Sequence, residues 1–486
     1  MAQTGLNVPT IHPIKFGTDG WRGVIAADFT FERVARVAPL AAQILKEVYG
    51  PTTGSNTVVV GYDRRFLSEQ FAETVANTVQ AIGFDVLLSE CYAPTPAFSW
   101  AAKQMNALGA IVITASHNPG SYSGLKVKSA FGGSVPPEVT QKIEALLNAG
   151  SQPAPASTPG TLQSFNPWTG YCEGLRQLVD IEAIRSAIQQ GKLKVLVDAM
   201  HGASSTGVSQ ILGIDVEELN SDRDPLFEGG APEPLPKYLT TLMQRLRDDV
   251  VPNGVKVGLV FDGDCDRIAA VDGAGKFLSS QVLIPILIEH MATRKGKTGE
   301  VVKTVSGSDL IPRAAALFNL PVFETPIGYK YIADRMLEAQ ALLGGEESGG
   351  IGYGHHIPER DALLSALYVL ETVVQTGCDL SDLYRQLQEK TGFDAAYDRI
   401  DLPLASLDVR DRLLAQLQNS PLQTIAGKAV ASCQTDDGYK FRLADHSWLL
   451  IRFSGTEPVL RLYCEAATLD EVHKTLNWAK DWASAA

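Results

Sequence analysis

The sequence predicts an α/β protein of three similar strand-and-helix units followed by a smaller α+β C-terminal segment. Three observations carry this expectation. An apolar run followed by a helical pattern recurs along the chain, framing three successive stretches. At 486 residues, with 45% hydrophobic and 20% charged side chains, the chain is long enough for about three or four domains. Beyond Thr391-Gly392 the pattern changes to alternating, Leu-rich segments.

In chain order, Thr57-Val58-Val59-Val60-Gly61-Tyr62-Asp63 reads as a strand, Ser68 as the cap of a helix running toward Ile82, and Asp85-Val86-Leu87-Leu88 as the next strand. Gly109-Ala110-Ile111-Val112-Ile113 is a further apolar run. The stretch 150–157, rich in Pro, Ser and Ala, has no periodicity and marks a first boundary. Lys194–Asp198 and Val257–Phe261 frame the second unit, and Glu300–Lys303 with Ala341–Leu343 frame the third. With a change near Asp272-Gly273-Ala274-Gly275, the expected domains are 1–152, 153–275, 276–390 and 391–486.

A formal charge of −13 argues against nucleic acid and anionic membranes as partners. Six scattered cysteines, none in a CxxC pair, suggest reduced thiols and a cytoplasmic protein. No apolar run approaches the ~20 residues of a membrane span, and the N-terminus lacks a basic-then-apolar leader pattern. The oligomeric state is left open.

Four polar loops carry the chemistry. The run 109–113 ends in Thr114-Ala115-Ser116-His117-Asn118-Pro119, which presents Ser116 as a nucleophile at a strand end, although Ser-His-Asn-Pro is also ordinary turn chemistry. Asp262-Gly263-Asp264-Cys265-Asp266-Arg267 follows an apolar strand. Three carboxylates so close would raise one another's pKa unless a cation sat among them, and oxygen ligands suit Mg2+; the rival is a solvated acidic turn. An EF-hand is excluded, since the sixth loop position is Arg267 and the twelfth is Gly273. The soft sulfur of Cys265 is a poor Mg2+ ligand and is expected to face the core. In Gly344-Gly345-Glu346-Glu347-Ser348-Gly349-Gly350, Glu346 and Ser348 can grip neighbouring hydroxyls of a sugar, against the alternative of a plain turn. In 452–461, Arg452, Ser454, Thr456, Arg461 and the backbone around Gly455 form a donor set suited to a phosphate, or else a hairpin with an ion pair to Glu457.

Taken together, these loops resemble, in order and spacing, the active-site loops of the α-D-phosphohexomutase superfamily of phosphoglucomutases and phosphomannomutases, beginning with Phe16-Gly17-Thr18-Asp19-Gly20-Trp21-Arg22-Gly23. The resemblance implies four domains around a central cleft and a phosphoserine at Ser116. It also implies Mg2+ bound by Ser116, Asp262, Asp264 and Asp266, with Arg267 beside it, and sugar hydroxyls held by Glu346 and Ser348. The C-terminal loop would hold a phosphate. An acidic phosphosugar enzyme must gather its cations in the cleft, among them Arg22, Lys126, Lys330, Arg452 and Arg461. Lys126 matches the family position for proton transfer or phosphate contact; Arg22, His117 and His356 are further candidates.

The chain departs from the pattern where bifunctional glucose/mannose enzymes have Ser-Gly-His and this sequence has Ser348-Gly349-Gly350. His356–Asp361 resembles the following stretch of glucose-type mutases, with Arg360 where some carry Lys. Arg cannot cycle a proton at neutral pH, so Arg360 is expected to clamp phosphate. Ser123 replaces an Asn common in the family. The expected activity is interconversion of hexose 1-phosphate and hexose 6-phosphate, glucose preferred and mannose a second substrate, through glucose 1,6-bisphosphate as intermediate and activator. The alternatives are a glucose-1,6-bisphosphate synthase fed by an external bisphosphate, and a catalytically weak sugar-phosphate-binding regulator on the same scaffold.

Overall fold

The computed structural model describes residues 12–17, 20–252, 254–454 and 458–484. Its first sheet has seven strands, in the order Phe16–Gly17, Gly20–Val24, Tyr122–Ser129, Gly109–Ile113, Thr57–Tyr62, Asp85–Ser89 and Leu162–Phe165. The last four run parallel and the first three join antiparallel. Gly109–Ile113 is buried throughout, as a strand covered on both faces must be. The alternation of its neighbour shows how. Val58 and Val60 join the core under the helices Phe31–Thr53, Ser68–Ala81 and Pro137–Asn148, whereas Val59 points to the opposite face and packs with Phe98 of the helix Thr95–Gln104.

Ser68 does not cap its helix. It is the first helical residue, Leu67 takes the cap position with φ 60°, and the Ser68 hydroxyl donates to Asp63 Oδ1 at 2.8 Å. Asp63 is buried and already pairs with Arg65, so the hydroxyl is drawn toward a carboxylate that needs donors. Leu162–Phe165 carries the first sheet past the 150–157 stretch, and Phe277–Leu278 likewise extends the second sheet past the turn at 272–275.

The second sheet has five strands, ordered Phe277–Leu278, Ile268–Val271, Val255–Phe261, Leu193–Asp198 and Glu217–Leu219, and the third has four, ordered Val322–Thr325, Glu300–Thr304, Ala341–Gly345 and Ile351–Tyr353. One continuous apolar core runs through these two and reaches the first sheet, from Val59 and Phe98 through Phe261 and Leu343 to Leu387. The protein is thus three mixed α/β domains sharing packed interfaces, plus a C-terminal domain of different design.

That fourth domain is a six-stranded antiparallel sheet from Ala396–Pro403 to Thr424–Ile425. Its period-two pattern splits the strand Trp448–Phe453 between two contacts. Leu449 and Ile451 pack with Leu413 and Leu476 of the helices Leu407–Asn419 and Leu469–Ser484, while Trp448 and Leu450 face Val305 of the third domain. The C-terminal domain is fastened to the third through this small aromatic joint and through polar bonds around it, among them Arg442 to Asp309 at 2.6 Å and the Ile327 N–H to Asp437 at 2.7 Å. No helix among the described residues is long and apolar enough to cross a membrane.

Candidate active site

The strand Gly109–Ile113 delivers Ser116 in the left-handed region, with φ 51°, a conformation that costs a non-glycine residue roughly 1–2 kcal/mol. Local bonds hold it there. The Ser116 N–H donates to Thr114 Oγ1 at 2.9 Å, and the carbonyls of Ser116, Asn118, Pro119 and Tyr122 all accept from the fully buried guanidinium of Arg65. Ser116 Oγ donates to Asp262 Oδ2 at 2.8 Å and lies 3.3 Å from His117 Nδ1.

The strand Val255–Phe261 delivers the aspartates. Asp262 Oδ1 accepts from the N–H groups of Asp266 and Arg267, curling the loop, and Cys265 turns it through φ 57° with its thiol in the apolar core, as expected. A Cβ at Gly263 would lie 2.4 Å from the Ser116 carbonyl, so the two loops touch backbone to backbone and only glycine fits. All three aspartates are buried and can bring one carboxylate oxygen each within 4.8 Å of one another. Thr95, at the start of its helix, donates its hydroxyl to Asp264 Oδ2 at 2.5 Å and its N–H to the Asp264 carbonyl. Lys126 Nζ lies 2.8 Å from Asp264 Oδ2 and 3.0 Å from Asp266 Oδ2.

Burial, and then the carboxylates of Asp266 and Asp264, push the Asp262 carboxyl well above the usual range, a demand that a cation among them would meet. The residues fit a hard divalent ion. The donors are all oxygen, and Asp266 Oδ1 is buried with no hydrogen-bond donor among the described residues.

Beside this cluster opens a cleft of about 610 Å³. It gathers Lys15, Arg22, Arg267, Lys330, Arg360, Arg399, Arg452 and Arg461 against Glu233, Glu346, Glu347 and Asp401, a basic surface in a chain of net charge −13. Ser348 and His117 also line it. Arg22 Nη1 donates to Asn118 Oδ1. Burial, followed by Arg267 and Arg22, pushes the His117 imidazole well below its ordinary value, so it is neutral at pH 7.

Glu346 and Ser348 follow the strand Ala341–Gly345, and the loop is closed by Glu346 N–H donating to the Gly350 carbonyl at 2.9 Å. Arg360 joins the two loops, with Nη2 2.7 Å from Asp266 Oδ2 and Nη1 3.7 Å from Glu346 Oε2. Burial raises the Glu346 carboxyl, with Arg360 and Arg267 pulling the other way. Arg452 is held by Asp437 at 2.9 Å, and Arg461 approaches Asp401 at 4.0 Å. The Ser454 carbonyl accepts from Arg410. Thr18, Asp19, Gly455, Thr456 and Glu457 lie outside the described residues.

His356 is not brought to the cleft. Its Nε2 pairs with Asp361 Oδ2 at 2.9 Å, its ring stacks on Trp100, and Asp361 caps the helix Ala362–Thr376, so the imidazole is occupied in packing behind the site. Sequence reasoning missed Arg65, Thr95 and Arg399. Two consecutive arginines at a strand end, Arg64-Arg65, and the Pro94-Thr95-Pro96 helix start were available signals. Arg399 carries none, since it sits in an ordinary alternating strand.

Four family profiles match in sequence: phosphoglucomutase/phosphomannomutase alpha/beta/alpha domain I at residues 13–154, domain II at 169–275, domain III at 279–391 and the C-terminal domain at 412–477. The chain belongs to the phosphoglucomutase/phosphomannomutase family, and with it to the phosphohexomutases, enzymes that shift a phosphoryl group within a sugar. It is 30% identical to a probable phosphoglucosamine mutase of Methanothermobacter thermautotrophicus, over 94% of each chain. It is 28% identical to a phosphoglucomutase/phosphomannomutase of Thermococcus kodakarensis, over 95% of this chain and 96% of the relative. A crystal structure of a putative phosphomannomutase from Thermus thermophilus superposes with a TM-score of 0.84 at 32% identity, covering 98% of this chain and 100% of that one.

Proposed function

We propose that this phosphohexomutase interconverts hexose 1-phosphate and hexose 6-phosphate, with glucose preferred, through a phosphoserine at Ser116 and a 1,6-bisphosphate intermediate. The observation that carries the reading is Ser116 Oγ, 2.8 Å from Asp262 and 3.3 Å from His117, directly behind a basic cleft lined by His117, Glu346 and Ser348. A hydroxyl oxygen of the bound sugar attacks the phosphorus of phosphoserine and the bond to Ser116 Oγ breaks. The attacking hydroxyl gives up its proton to a base on the cleft side as the new bond forms, while His117, 3.3 Å from Ser116 Oγ, sits beside the oxygen that leaves. Bound at Asp262, Asp264 and Asp266, Mg2+ would neutralise charge building on the transferred group. Lys126 and Arg267 add positive charge beside those carboxylates, and Arg452 and Arg461 suit the distal phosphate.

Preference for a neutral sugar is supported by pairing. Glu346 faces Arg360 at 3.7 Å and Glu347 faces Arg399 at 3.1 Å, so both loop carboxylates already have guanidinium partners and a 2-ammonium group would enter a basic environment. The amino-sugar reading suggested by the name of the Methanothermobacter relative is the competitor. The deciding experiment assays glucose, mannose and glucosamine phosphates with and without glucose 1,6-bisphosphate, alongside intact-protein mass spectrometry. Expected are highest kcat/KM on glucose phosphates, one added phosphoryl group on the Ser116 peptide, and both lost in Ser116→Ala. A Ser116→Ala enzyme that retained most of its rate would refute the assignment. Bisphosphate released faster than monophosphate is isomerised would make the protein a synthase.

A further inference from the structure

Three domains meet at Arg399. Its side chain leaves the strand Ala396–Pro403 of the C-terminal domain and places Nη1 3.1 Å from Glu347 Oε2 and Nη2 3.5 Å from Glu233 Oε1. Glu347 lies in the loop of the third domain between Glu346 and Ser348, and Glu233 belongs to the second. The side chains are 24% and 11% exposed for Arg399 and Glu347, which lifts this pair above the solvent-screened class. The Glu347 carbonyl is held by the Ser280 hydroxyl at 2.7 Å, so its carboxylate is the part that meets the C-terminal domain. The loop itself is a short closed turn, with Glu346 and Gly350 bonded across it, so a pull at Glu347 is felt at both neighbours.

We propose that Arg399 is a positioning residue: through Glu347 it couples the placement of the C-terminal domain to the shape of the loop that presents Glu346 and Ser348. The domain meets the third around Trp448 and Val305, with Arg442–Asp309 beside them, and Arg399 lines the cleft, so a change in that placement is carried to the cleft wall through its guanidinium. Glu233 anchors the same guanidinium to the second domain, so the latch reports on all three bodies at once. The inference rests on the reading of Glu346 and Ser348 as sugar contacts.

The test compares Arg399→Gln, Arg399→Lys, Glu347→Gln and the double Gln variant by hydrogen exchange on the free enzyme and by steady-state kinetics with glucose 1-phosphate. Arg399→Gln should speed amide exchange across residues 344–350 and raise KM about ten-fold with a smaller change in kcat, the scale of one charged hydrogen bond. Arg399→Lys should recover most of both, and the double variant should be no worse than the worse single one. Unchanged exchange across 344–350 in Arg399→Gln, or single effects that add in the double variant, would overturn the latch. Should Arg399→Gln fold poorly, Glu347→Gln reads the same exchange. A wild-type enzyme inactive on every hexose phosphate would sink the functional reading alone, since exchange in the free enzyme still decides the latch.

Discussion

A Cβ at position 350 would lie 2.3 Å from Arg360 Cδ and 2.8 Å from its Cγ, so the glycine and the arginine share one space. Arg360 uses that space to span Asp266 and Glu346, and any side chain at 350 must dislodge it. Gly350→Ala is expected to lower kcat/KM about ten- to hundred-fold through misplacement alone. The cycle with Arg360→Ala checks this: once the arginine is truncated, adding Gly350→Ala should cost almost nothing. At this scale the sequence is read best where chemistry forces residue types together. Ser116, Asp262, Asp264, Asp266, Glu346 and Arg360 stand out because few structural needs call for such clusters on short loops, and the structure gathers them around one cleft. His356 looks the same in sequence as a reacting histidine, and only packing against Trp100 and Asp361 separates the two.

Among the elements, the helix Thr95–Gln104 has an outsize part because its first residue reaches across a domain boundary to the metal-type carboxylates. Thr95→Val keeps shape and removes one donor to Asp264. Groups that orient a ligand from behind are worth about 10–100-fold in metal affinity, so the Mg2+ concentration for half-maximal activity should rise by about that factor. Equilibrium dialysis of Mg2+ on the unphosphorylated enzyme gives the same comparison without catalysis. The central strands are legible in the sequence because β-branched apolar runs such as Val58-Val59-Val60 have few other uses. Leu162–Phe165 and Phe277–Leu278 are not, since sheet membership there comes from pairing with a distant edge and leaves no periodic trace in so short a segment. Ser68 misleads for a related reason: its hydroxyl answers a buried carboxylate instead of the helix end.

For the whole molecule, the joint between third and fourth domains is expected to respond to pH. Lys440 is buried, donates to the Val305 carbonyl at 2.6 Å and lies over the Trp448 ring. Burial, then Lys303, pushes it down to about 7, with Asp309 and Glu324 pulling upward and Arg442 downward. Its unfolded value is about 10.4, so between these the unfolded chain binds more protons and stability rises with pH; below about 7 the full cost of burying the charge is present. Denaturant midpoints followed by tryptophan fluorescence should therefore climb from about pH 7 toward pH 9, and Lys440→Met should flatten that slope. Adding glucose 1,6-bisphosphate should also compact the enzyme in solution scattering, as closure of the fourth domain over the cleft excludes water. The contact of Gly263 on the Ser116 carbonyl has a consequence at this scale. The serine and aspartate loops form one close-packed seat built across two domains, whereas the fourth domain meets the third through the Trp448 contact and a few polar bonds around it. Under the proposed cycle the seat governs how fast each phosphoryl transfer occurs, and the joint governs processivity: how many reversals of the sugar are completed before the intermediate is lost to solvent. Evolution could then tune yield per encounter at residues around Trp448 without touching the chemistry.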